Sequence, residues 1–98
     1  MINEDSIQDQ GFRDEEIVFP VSYVLKVIVT RNITPERHTE LIEEILLRKK
    51  IPYRFEDTKQ SKEGTYLSFS IFITLINKLQ MKELYNDLRS LPWIKLAL

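Results

Sequence analysis

The sequence predicts one α+β domain in which two strand–helix units are joined by a hairpin, and three observations carry that prediction. Val21–Thr30 is a ten-residue run dominated by β-branched and aliphatic residues. Tyr66–Leu75 alternates with period two, Leu67, Phe69, Ile71, Ile73 and Leu75 on one side and Tyr66, Ser68, Ser70, Phe72 and Thr74 on the other. An apolar stripe of helical period follows each run, and the four prolines (20, 35, 52 and 92) all fall at the resulting boundaries.

In the first strand Leu25, Val27 and Val29 face one way and Val24, Lys26, Ile28 and Thr30 the other. Pro20 has no N–H to donate, so ladder pairing begins after it. Thr34-Pro35-Glu36 then reads as N-cap, N1 proline and first-turn acid. Leu41, Ile42, Ile45 and Leu46 form the buried stripe of that helix; Arg48-Lys49-Lys50 complement its C-terminal dipole, and Pro52 stops it. Tyr53–Thr58 reads as a short strand, and residues 59–64 as a loop in which Gly64 supplies positive φ. Asn77 is the expected N-cap of a second helix with Met81, Leu84, Tyr85 and Leu88 on its inner face. After Pro92, Trp93–Leu98 alternates as a final strand.

The βαββαβ order, with right-handed crossovers, gives a ferredoxin-like sandwich: a four-stranded antiparallel sheet of order 4-1-3-2 with both helices on one face. Residues 17–98 make up this domain. Residues 1–16 carry six acids against Arg13, a net charge of −5, and lack any apolar period, which predicts a disordered acidic leader. The remaining residues carry 13 Lys/Arg against 9 Asp/Glu, so an acidic leader precedes a mildly basic body.

Composition narrows the chemistry. With no cysteine there is no disulfide framework, thiolate nucleophile or cysteine metal site, and no apolar run is long enough to span a membrane. A cytoplasmic protein without membrane association is expected. His38 is the one histidine, so a Ser–His–Asp triad or His pair cannot be drawn; its place in the first turn of the first helix predicts a packing or surface role. Two glycines make no phosphate-cradling loop, and Glu40 and Glu44 at i, i+4 read as a solvated acidic face. The sequence therefore predicts a non-enzyme with no cofactor and no metal.

Two surfaces remain as candidates. The sheet face away from the helices is expected to present Lys26, Ile28, Tyr66, Ser68, Ser70, Phe72, Lys95 and Ala97, a partly apolar surface for a partner, a ligand or a second copy. Arg48, Lys49, Lys50, Arg54, Lys59 and Lys62 are expected to cluster where the first helix ends and the hairpin begins. Such a basic patch would receive a small anionic metabolite or the acidic leader. RNA is the rival occupant of the open face, because Lys62–Phe69 superficially resembles the RNA-recognition signature. Aligned on Gly64, however, that signature's aromatic positions hold Thr65, Leu67 and Ser70, so nucleic-acid binding is not expected.

Phe19-Pro20-Val21-Ser22-Tyr23-Val24-Leu25-Lys26-Val27 resembles the opening F-P-x-[SD]-[FY]-x-[IL]-K-V of the bacterial YbeD-like family of unknown function. Ser61–Ser68 is similar to its S-x-x-G-x-Y-x-S segment, and Leu84-Tyr85-Asn86-Asp87-Leu88 with Pro92–Leu98 to its L-Y-x-x-L…P-x-[VI]-K-x-x-L ending. Val21 stands where many members have cysteine, Val24 where proline is frequent, and Thr30 where glycine often ends the strand. The resemblance implies a fold similar to the ACT-type regulatory domain, which binds small molecules at dimer interfaces, and brings no catalytic residues. Together these readings predict a regulatory or adaptor module binding a small molecule or a metabolic protein partner, with a homodimer available to it.

Overall fold

The computed structural model describes residues 17–98; the acidic leader expected at residues 1–16 lies outside the described residues. The chain runs β1 (Val21–Thr30), α1 (Pro35–Arg48), β2 (Tyr53–Gln60), β3 (Tyr66–Leu75), α2 (Lys78–Arg89) and β4 (Ile94–Ala97). The strands form one antiparallel sheet of order β2-β3-β1-β4, the expected 4-1-3-2 counted from the other edge. Leu25, Val27 and Val29 of β1 and Phe69, Ile71 and Ile73 of β3 pack with Ile42, Ile45 and Leu46 of α1 and Met81, Leu84 and Leu88 of α2 in one core. Both helices therefore cover the same face, and among the described residues no second layer covers the other.

Local chemistry sets the helix ends. Thr34 Oγ1 accepts from the Arg37 N–H and Asn77 Oδ1 from the Gln80 N–H, each satisfying one orphan donor of a first turn. α1 ends before Pro52 can act: the Lys50 N–H bonds to the Leu47 carbonyl and the Ile51 N–H to that of Leu46, with Lys50 at φ 59°. This is the Schellman arrangement, and buried Ile51 supplies its hydrophobic contact. The Gln80 side chain accepts from the Ile76 N–H and donates to the Lys49 carbonyl, while Lys49 Nζ lies 3.0 Å from Asp87 Oδ2. The end of α1 is thereby tied to α2.

Two strand boundaries differ from those read in the sequence. β2 continues through Lys59 and Gln60, which pair with Ser68 and Leu67. Its polar C-terminal half belongs to an edge strand with no layer above it, so alternation of hydrophobicity disappears although the ladder persists. A register shift between Phe55 and Asp57 interrupts it at Glu56. β4 is confined to Ile94–Ala97 and also bulges: Ile94 pairs with Val29 and Leu96 with Ile28, so Lys95 has no partner in β1.

Candidate functional site

The open face can be built row by row from the pairing, since directly opposed antiparallel residues project to the same side. Ser22 meets Thr74, and their hydroxyls are 2.8 Å apart. Val24 meets Phe72, which in turn meets Arg54. Lys26 meets Ser70 and exchanges both backbone hydrogen bonds with Leu98, while Asp57 stands opposite Ser70. Ile28 lies between Ser68 and Leu96, with Lys59 beyond Ser68, and Thr30 meets Tyr66. Among the expected face residues, Lys26, Ile28, Tyr66, Ser68, Ser70 and Phe72 are thus brought onto one surface.

The expectation for β4 is corrected. The bulge at Lys95 returns Ala97 to the helix-facing side, opposite Val27, and sends Leu96 outward beside Ile28. Lys95 is exposed at the sheet edge but belongs to no cross-strand row. Leu98 joins Leu96 on the open side through its pairing with Lys26. The face is consequently more apolar than the sequence reading gave: Val24, Leu96 and Leu98 remain 40%, 44% and 54% exposed. Strict alternation from Trp93 would have placed this tryptophan outside, and that conflict was the available signal for a bulge.

The electrostatics of the face divide into engaged and unengaged cations. The Arg54 guanidinium lies over the Phe72 ring at 5.0 Å and 2.6 Å from Glu56 Oε2, and Lys59 Nζ lies 3.9 Å from Asp57. Lys26 and Lys95 have no ion partner among the described residues. An apolar centre therefore carries two unneutralised ammonium groups, one in its middle row and one at its β4 rim.

The six-residue basic patch does not assemble. Arg48, Lys49 and Lys50 end α1 beside the start of β2, whereas Lys59 and Lys62 lie at the hairpin, the other end of that strand. At about 3.3 Å per residue, Arg54 and Lys59 alone are separated by roughly 17 Å. Arg48 and Lys49 are also taken up by Asp87, 3.8 and 3.0 Å away. Sequence proximity across a helix–strand junction gave the patch; the length of the strand disperses it.

Inside the fold, His38 takes the packing role. It is fully buried, with ring centroids 4.9 Å from Trp93 and 5.9 Å from Phe69, and neither ring nitrogen has a hydrogen-bond partner among the described residues. Burial pushes its pKa below the ordinary histidine value. The Thr30 backbone favours the charged ring but without good hydrogen-bond geometry, and the Arg31 cation opposes charging. Tyr23 and Tyr85 share a 2.7 Å hydroxyl–hydroxyl bond, and burial raises both above the usual phenol range. Tyr53 donates to Glu43 at 2.6 Å, which raises it likewise. No group of three or more His, Cys, Asp or Glu residues converges as a metal site among the described residues, and no helix there is long and apolar enough to cross a membrane.

This geometry defines a two-layer α+β domain of the ferredoxin-like type, its second sheet face uncovered among the described residues. The solution structure of protein HP0495 from H. pylori shares the fold, with a TM-score of 0.68 and 21% identity over 93% of this chain and 92% of that one. Sequence comparison is more specific. Residues 14–98 match the family described as "Protein of unknown function (DUF493)". A UPF0250 protein of Buchnera aphidicola is 35% identical over 81 residues, covering 82% of this chain and 88% of the relative. A UPF0250 protein of Shewanella piezotolerans is 31% identical over 86 residues, covering 87% and 93%. The chain belongs to the DUF493 family, in agreement with the YbeD-like motifs along its sequence.

Proposed function

We propose that this protein is a non-catalytic regulatory or adaptor module that docks a protein partner on its open sheet face. The observation that supports this reading is the aliphatic group Val24, Ile28, Leu96 and Leu98, set on a sheet whose helices all lie on the opposite side. Contiguous exposed apolar surface rimmed by polar groups marks interaction sites more often than solvent-facing sheet. A flat sheet lacks the concavity that holds a small metabolite. The depression lined by Lys82, Glu83, Asn86 and Arg89 lies on α2, on the helical side and away from this face.

The test is affinity capture from the source organism with the wild type, a Val24→Ser/Leu96→Glu variant and a Lys82→Glu control on the helical side. A metabolic protein retained by the wild type and the control but lost from the face variant supports the reading. Equal capture by all three removes the face from the function, and reproducible turnover abolished by a surface substitution replaces the module with an enzyme.

A further inference from the structure

Resting on the assignment of the open face as the docking surface, we infer that its occupant is an acidic amphipathic polypeptide segment: apolar side chains against the centre, carboxylates against Lys26 and Lys95. The apolar residues occupy the inner strand β1 and its neighbour β4, in the rows Val24–Phe72, Lys26–Leu98 and Ile28–Leu96. Lys26 and Lys95, for which the described residues supply no acid, sit within and beside those rows. Arg54 and Lys59 line the β2 side, where Glu56 and Asp57 neutralise them. The unneutralised positive charge of the face therefore lies at Lys26 in its middle row and at Lys95 on the β4 rim.

Four strands spaced about 4.8 Å apart give a surface roughly 19 Å wide. That width accommodates one helix of about 10–12 Å diameter, or one extended strand, with room for its flanking carboxylates.

Two other occupants fit less well. A second copy apposed through this face would bring Lys26, on an inner strand in the middle row, close to its own counterpart. It would thus desolvate like charges at the centre of the interface. Single-stranded RNA needs aromatic faces on which neighbouring bases stack. Phe72 is covered by Arg54, and Tyr66 lies six residues away along the same strand, about 20 Å. The centre of the face is aliphatic instead.

The experiment pans a phage-displayed library of random 12-residue peptides against the full chain, then titrates synthesised winners while recording amide chemical shifts. The expected winners combine Asp/Glu with Leu, Ile or Phe and shift amides of β1, β3 and β4. They lose at least tenfold in affinity to Lys26→Glu and weaken from 50 to 500 mM salt. A lysine-substituted winner should then prefer the Lys26→Glu protein. Far-ultraviolet circular dichroism confirms that this exposed substitution leaves the fold intact.

Winners that map to the face but are neutral or basic overturn the acidic chemistry while leaving the docking surface standing. Winners that map to the helices overturn both. Self-association, or filter binding of single-stranded RNA, that is abolished by Leu96→Glu assigns the face to those occupants and overturns the inference.

Discussion

Replacing His38 with leucine probes the one polar side chain that the core encloses completely among the described residues. An unpartnered buried polar group costs about 1–3 kcal/mol, and loss of a ring–ring contact such as that with Trp93 costs about 0.5–1.5 kcal/mol. His38→Leu should therefore gain about 0.5–1.5 kcal/mol at pH 7.5, where the imidazole is neutral in both folded and unfolded chains. Because burial lowers the folded-state pKa, the native protein favours the neutral ring and the unfolded chain takes up the proton first. The contribution of the neutral ring is complete above about pH 6.5 and is lost as pH falls through the lowered folded-state value. In that window the wild type loses up to about 1.4 kcal/mol per pH unit from this residue alone. The charged neighbour acting on the ring is Arg31, whose cation adds to the penalty, and among the described residues no carboxylate relieves it. Urea unfolding between pH 8 and pH 5, followed by fluorescence of the single tryptophan, Trp93, measures both proteins; carboxylate titrations common to the two cancel in the difference. The advantage of the leucine variant should be flat from pH 8 to 7 and widen below 6.5. A pH-independent difference would show that the ring is not held neutral. A wild type more stable than the variant at pH 8 would show that its nitrogens are satisfied, and either result refutes the reasoning.

Four further outcomes follow from the turns and the tyrosine pair. Lys50→Gly should raise unfolding stability by about 0.5–1 kcal/mol, because a left-handed backbone strains a Cβ-bearing residue by about 1–2 kcal/mol and the added chain entropy of glycine offsets only part of this. Gly64→Ala should do the reverse by about 1 kcal/mol. A Cβ there would lie 3.0 Å from the movable Gln60 Nε2, so φ +74° and not crowding sets the cost, and urea titration at pH 7 checks both variants. Tyr23→Phe and Tyr85→Phe should each cost about 1 kcal/mol, and the double variant less than their sum, because one hydrogen bond joins the two hydroxyls. Both hydroxyls titrate above their usual value when folded, so wild-type stability should be full below about pH 10 and decline as pH rises through the raised values, more steeply than in the double variant.

Most of the fold is legible because its signals are local and concordant. Thr34 and Asn77 announce the helices before any apolar periodicity begins, and the alternation in Tyr66–Leu75 places every inner residue of β3 correctly. The signals weaken where tertiary context replaces them. Lys59 and Gln60 are strand residues whose side chains meet solvent, so their composition reads as loop while their backbone pairs with Ser68 and Leu67. Likewise the end of α1 depends on Lys50 adopting a left-handed backbone, which a sequence marks only when glycine occupies the position.

The candidate site was legible on the continuous strands and not at their irregularities. β1 and β3 pair without interruption from Val21 opposite Leu75 to Thr30 opposite Tyr66, so period two alone assigns Lys26, Ile28, Ser68, Ser70 and Phe72 to the open side. In β4 one unpaired residue inverts everything after it. Trp93 is buried against His38, Ile94 faces the core, and restoring the pairing after Lys95 turns Leu96 and Leu98 outward. A register with Lys95 in the open-face row would expose Trp93 and draw the apolar surface toward the core. The bulge satisfies the tryptophan and places two leucines beside Ile28. The packing demand of one core residue therefore sets the chemistry of the opposite surface. Deleting Lys95 should remove the bulge and leave Ile94 opposite Val29 and Leu96 opposite Ile28 in one continuous register. The apolar surface should then persist, and peptide binding should lose only what the Lys95 cation contributes. Amide shifts showing Leu96 drawn to the helix-facing side would refute this account.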